Sequence, residues 1–142
     1  TKNLCLIELK FASIPVLDSK KGLLQQLRAH NWVDKGRVAF ICDIKRLEDY
    51  DTQCKFTVFL TNDPRYWDLQ NQKVNDANYH LNQFDSLGQQ RTITGKLNWG
   101  IHPPSKWTFK YKIPISLRGN YPLVWHYFTQ DPLFKYLLLE VN

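Results

Sequence analysis

Methionine is missing from all 142 residues, position 1 included. The chain opens on Thr1-Lys2-Asn3 and runs at once into an apolar, strand-like segment. Such a start predicts a chain trimmed or partial at its N-terminus. The sequence predicts no secretion signal, and no apolar run approaches the roughly 20 residues that a membrane-spanning helix needs. Cysteine is scarce: Cys5, Cys42 and Cys54 sit in apolar surroundings without CxxC spacing. An odd count without a leader predicts reduced, buried thiols in a cytoplasmic protein, and the spacing speaks against a zinc site. The histidines, His30, His80, His102 and His126, are scattered, with no pair at ligand spacing. Internal repeats, linkers and low-complexity tails are missing too, so the sequence predicts one domain of mixed α/β (α+β) class over residues 1–142.

What is present is a foldable, basic chain. Apolar residues make up 43% and aromatics 14%, enough for a real core. A net charge of +6 favours an acidic partner, of which nucleic acid is the commonest. The plainer reading of that charge is solubility alone.

The pattern of elements is mixed. Residues 3–12 alternate, with Leu4, Leu6, Glu8 and Lys10 on one face and Cys5, Ile7, Leu9 and Phe11 on the other. Two largely apolar faces predict an interior strand covered on both sides. "SIPVLDSKKG" (13–22) reads as a loop and Leu23 to Ala29 as a short helix. Residues 34–50 predict a longer helix with Asp34 as N-cap. Its apolar face carries Phe40, Ile41, Ile44 and Leu47, and Asp43, Lys45, Arg46, Glu48 and Asp49 fall mostly on the other side. "KFTVFLT" (55–61) is a second interior strand, parallel to the first by the βαβ rule. "NDPRYW" (62–67) reads as a turn or the start of a short helix, with Pro64 suited to a first helical position and Asp63 capping the turn. Residues 68–91 read as a mobile polar loop region, with a modest strand at "NYHLNQF". Residues 92–142 read as β-rich: "RTITGKLNW", "WTFKYKIPISL", a turn at Gly119-Asn120, and a closing strand "FKYLLLEV".

The chemistry centres on Glu8 and Lys10. Strand geometry sets them side by side, roughly 6 to 7 Å apart at Cα. Glu8 is a candidate ligand for a hard divalent cation, Mg²⁺ or Mn²⁺, with the backbone carbonyl of Leu9 as a further oxygen. Lys10 is a candidate for orienting a water or steadying charge that grows on a phosphodiester. A Glu-x-Lys triplet alone is common, and a simple surface ion pair at a strand end accounts for most of them.

The longer pattern is less common. "IELK" (Ile7–Lys10) leads to the helix with "DIKRLE" (Asp43–Glu48) and then to "FLTNDPRYW" (Phe59–Trp67). Tyr121–Trp125 and Phe134–Val141 follow. In these pieces the chain resembles the PD-(D/E)XK, restriction-endonuclease-like nuclease superfamily, and in particular a group of uncharacterised bacterial proteins. The resemblance covers nearly the whole chain and implies a restriction-endonuclease-like core over 1–67, with a mixed sheet flanked by helices. It implies Glu8 as metal ligand, Lys10 as catalytic lysine and Mg²⁺ as cofactor. It also implies a further Asp on a preceding strand, yet none of the seven residues before Glu8 is acidic. The expectation is therefore an absent N-terminal piece, a second chain such as a homodimer partner, or an inert site.

Other acids were weighed against that gap. Asp43 either faces the site or is a solvated helix residue; Asp18 sits in a loop that could fold back; Asp63 most simply caps a turn, and otherwise supports the site from a distance. Lys20, Lys21 and Arg28 are the first candidates for phosphate contact. Lys106, Lys110 and Lys112 alternate on one face and either track a backbone or protect a sheet edge. Trp99, Trp107 and Trp125 read as core. The function expected is Mg²⁺-dependent phosphodiester hydrolysis on nucleic acid, DNA first. The alternative is a non-catalytic module binding nucleic acid or a protein.

Overall fold

The computed structural model describes residues 4–17, 24–25, 33–68, 79–98, 114–130 and 133–142, with the backbone alone at 16–17 and 24–25. In chain order the elements are β1 (Cys5–Ala12), β2 (Val16–Leu17), β3 (Leu24–Gln25), α1 (Val33–Glu48), β4 (Cys54–Thr61), the 3₁₀ turn Pro64–Tyr66, β5 (Thr92–Leu97), β6 (Ile115–Pro122), β7 (Trp125–Gln130) and β8 (Leu133–Glu140). The fold is mixed α+β. One sheet has the order β1-β4-β8-β7; β2 pairs with β3 and β5 with β6 in separate ribbons.

The βαβ expectation holds at the centre: β1 and β4 are parallel, with Glu8 opposite Thr57 and Lys10 opposite Phe59. β8, the closing strand, lies antiparallel between β4 and β7. The inner face of β4 carries Lys55, Thr57, Phe59 and Thr61, all buried, and alternates with half-buried Phe56, Val58 and Leu60. The core lies between that face and α1, whose Val38, Phe40, Ile41, Ile44 and Leu47 are buried. Phe59 is its hub. Its ring meets Tyr66 edge-on at 4.7 Å, Phe40 at 5.3 Å and Trp125 at 6.0 Å, separations at which aromatic pairs attract beyond simple burial.

The turn after β4 follows from its sequence. Asp63 caps the 3₁₀ turn by accepting from Arg65 N, and Pro64 takes the first helical position. Asn62 pins the end of β1: its Oδ1 accepts from Ile14 N at 2.8 Å and its Nδ2 donates to Ile14 O at 3.0 Å. Tyr66 then meets α1 at Gly36 with the tip of its ring, where a side-chain carbon would collide with the phenol oxygen. Tyr66 is 1% exposed and has no way out. Gly36→Ala is therefore expected to destabilise by about 1–2 kcal/mol. A collision this close belongs to the upper part, about 2–3 kcal/mol, of the overpacking range, which outweighs the roughly 1 kcal/mol gained in helix propensity. A urea midpoint that rises instead of falling would mean that Tyr66 yields freely.

Several expectations are corrected. β1 is not covered on both faces: it lies at the sheet edge among the described residues, with Ile7, Leu9 and Phe11 exposed. Its apolar face looks out and the Leu6–Glu8–Lys10 face looks toward α1. Asp34 sits inside the first turn of α1 rather than before it, paired with Arg37. Leu24 and Gln25 form a strand, not part of a helix; the rest of 23–29 lies outside the described residues. Tyr79 to Asn82 are buried and outside any helix or strand, residues 69–78 lie outside the described residues, and no strand forms at 79–84 beyond a single bridge at Phe84. Gly119 and Asn120 run within β6, and the irregularity falls opposite them at Thr94/Gly95, where Gly95 takes a positive φ.

The cysteine expectation also fails. Cys5 and Cys54 are register partners on β1 and β4, their Cα atoms 4.5 Å apart, and they form a disulfide. Their 49-residue separation concealed the pairing, which only the strand register creates. Cys42 remains a free thiol. Among the described residues no helix is long and apolar enough to cross a membrane.

Candidate active site

Four charged side chains meet at the seam between β1 and α1. The period of a strand puts Glu8 and Lys10 on one face, and the period of a helix puts Asp43 and Arg46 on one face. The β1–α1–β4 crossover sets those two faces against each other. Glu8 Oε1 accepts from Arg46 Nε at 3.0 Å and from Arg46 Nη2 at 2.7 Å. The same Nη2 donates to Asp43 Oδ1 at 2.8 Å. Asp43 Oδ2 pairs with Lys10 Nζ at 2.8 Å. Each charge thus has an opposite partner, and the quartet is neutral as a whole.

This pairing is why an apolar strand tolerates two charges near its centre. An unpaired buried charge is costly, and here none is unpaired. The site also stays open to water: Arg46 is half exposed and Glu8 one-third exposed, with Asp43 the most enclosed at 11%. The Arg46 guanidinium is held above its ordinary pKa range, first by its hydrogen bond to Glu8 and further by Asp43. Beside them, burial pushes the Cys42 thiol up and Asp43 adds to the rise. Cys42 is therefore a poor thiolate nucleophile near neutral pH.

Glu8 and Lys10 do point the same way, as their spacing requires. Leu9 turns its side chain to the opposite face, where it is 75% exposed, leaving its backbone between the two charged residues. Asp43 is brought in as a buried acid facing the site, contrary to the reading of it as a solvated residue. Asp63 is kept out. It is buried, and Arg65 holds its two oxygens through Nε at 2.9 Å and Nη2 at 2.6 Å. Lys20, Lys21 and Arg28 lie outside the described residues, as do Asp18, Trp99, Trp107, Lys106, Lys110 and Lys112. Arg46 is the residue that sequence reasoning missed. Its signal was present, since it follows Asp43 by three positions and so shares its helix face.

Among the described residues no three His, Cys, Asp or Glu side chains gather as a metal cage. Glu8 and Asp43 nevertheless fit a cation of the Mg²⁺ class. Their oxygens already converge on one cationic nitrogen, and Mg²⁺ is commonly held by one or two carboxylates with water completing its shell. A further oxygen lies at the same level. Thr57, the register partner of Glu8, is fully buried and its hydroxyl has no hydrogen-bond partner. Beside α1 lies an open cleft of about 630 Å³, bordered by Cys42, Lys45, Arg46, Asp49, Tyr50 and Ser116. No family model, curated protein or solved structure matches this chain.

Proposed function

We propose that this protein is a metal-dependent, nuclease-like domain that hydrolyses phosphodiester bonds of nucleic acid, with a core of the restriction-endonuclease-like kind. One observation carries the reading: Glu8 and Asp43 converge on a single cationic nitrogen while Lys10 stands beside them on the same strand face. The resemblance of Ile7–Lys10, Asp43–Glu48 and Phe59–Trp67 to PD-(D/E)XK nucleases supports it. Asp43 supplies a second carboxylate that the residues before Glu8 lack.

In this reading Glu8 and Asp43 would hold Mg²⁺, whose chemistry there would be to acidify a water and offset phosphate charge. Lys10 adds a fixed positive charge where the attacked phosphate becomes more negative. Asp43 also positions that amine through its other oxygen. The net charge of +6 draws a polyanion toward the site.

Titration with Mn²⁺ or Mg²⁺ tests the proposal. Saturation at about a hundred times Kd should stabilise the fold by about 2.7 kcal/mol, a Tm rise of several degrees. Glu8→Ala should abolish the rise. Lys10→Ala should keep it and lose metal-dependent cleavage of DNA. A wild-type Tm indifferent to both cations, with DNA present as well as without it, would rule out the metal site.

The complete pairing of the four charges favours a second reading, a non-catalytic module in which the quartet only fastens β1 to α1. It calls for nucleic-acid binding that ignores metal, with no cleavage under any condition.

A further inference from the structure

Arg46 has no part in the reaction just described, yet it makes three of the four polar contacts in the site. Its guanidinium bridges Glu8 Oε1 and Asp43 Oδ1 from where a cation shared by those two carboxylates would sit. A guanidinium and a divalent cation cannot both hold the same oxygens without strong repulsion. Arg46 therefore competes with any metal.

Its second environment resolves the conflict. Arg46 is half exposed and also borders the 630 Å³ cleft, with the exposed Tyr50 and the Lys45–Asp49 ion pair, 2.7 Å, nearby. A phosphodiester there would offer the guanidinium a two-pronged acceptor as good as the carboxylates it leaves. Lys10 has no such freedom, being less exposed and tied to Asp43.

We infer that Arg46 is a two-position residue that couples the cation to the nucleic acid: it covers Glu8 and Asp43 in the free protein and swings to a phosphate in the cleft when nucleic acid arrives. This rests on the proposed metal site and adds its regulation. The bare protein binds metal weakly, and a bound strand opens the site. By linkage the cation strengthens nucleic-acid binding by the same factor.

Calorimetric titration of Ca²⁺ with and without a short DNA duplex tests this on the whole chain. Wild type should bind Ca²⁺ about tenfold more tightly with DNA present, within the usual range of such couplings. Arg46→Gln should bind Ca²⁺ about tenfold more tightly than wild type without DNA, and DNA should then add little. Arg46→Lys keeps the charge and the fold but loses the double bridge, and should fall between the two. If Glu8-dependent Ca²⁺ binding is present but Arg46→Gln leaves it unchanged or weaker, or DNA does not alter it in wild type, the coupling is overturned and the metal site stands. If no variant binds Ca²⁺, both fall together.

Discussion

Replacing Glu48 by alanine should cost about 3–5 kcal/mol of stability, although the residue lies outside the charged quartet. Glu48 is the last residue of α1, its side chain is fully enclosed, and its Oε1 accepts three hydrogen bonds. The donors are Arg118 N, Gly119 N and the Tyr121 hydroxyl, each at 2.8 Å. The Arg118 guanidinium adds a bond to the Glu48 carbonyl. One carboxylate thus fastens the β5–β6 ribbon to the end of the helix. An acid is disfavoured at a helix C-terminus by the macrodipole, so its donors must compensate. Alanine would strand two backbone N–H groups and a buried phenol, at about 1–3 kcal/mol for each group left unsatisfied. Gly119 belongs to the same device: a side chain there would run into the Tyr121 ring. Glu48→Gln keeps an acceptor oxygen and should lose much less. Urea unfolding that ranks glutamine no better than alanine would refute the anchor.

The second large effect concerns Cys5 and Cys54. Removing their disulfide, by Cys5→Ser with Cys54→Ser or by a dithiol reductant, should lower stability by about 4 kcal/mol. That value follows from the chain entropy restored when a loop closed across a separation of 49 residues is opened. Cys42→Ser should show no such loss, because Cys42 is unpaired. The loss matters for the site. β1 is an edge strand held laterally by β4 alone among the described residues, and it carries both Glu8 and Lys10. Reduction should therefore weaken metal binding as well as raise sensitivity to urea. A wild-type Tm unmoved by reductant, with free thiols at both positions by mass spectrometry, would count against the bridge. With that bridge in place, the cysteines no longer argue for a reducing compartment.

Local periodicity made part of this structure legible. "KFTVFLT" reads as a strand because its branched and aromatic residues suit a pleated, buried surface. The helix through Phe40, Ile41, Ile44 and Leu47 reads from its apolar spacing, and the Asp63-Pro64 turn from side-chain capping. Other features depend on positions far apart in the chain. Glu48 looked like a solvated helix residue because its donors lie at Arg118, Gly119 and Tyr121. Asp43 looked no different from Asp49 until β1 was placed beside it.

The charged quartet divides along the same line. That Glu8 and Lys10 share a face, and that Asp43 and Arg46 share another, is settled by the repeats of strand and helix, which act within a few residues. Which way β1 turns was not: its greasier side, Ile7, Leu9 and Phe11, faces outward and its charged side inward. Hydrophobicity alone favours the reverse. The choice came from the helix, whose own Asp43 and Arg46 neutralise the charges turned toward them, and partners 33 to 38 positions apart are supplied only by the folded chain.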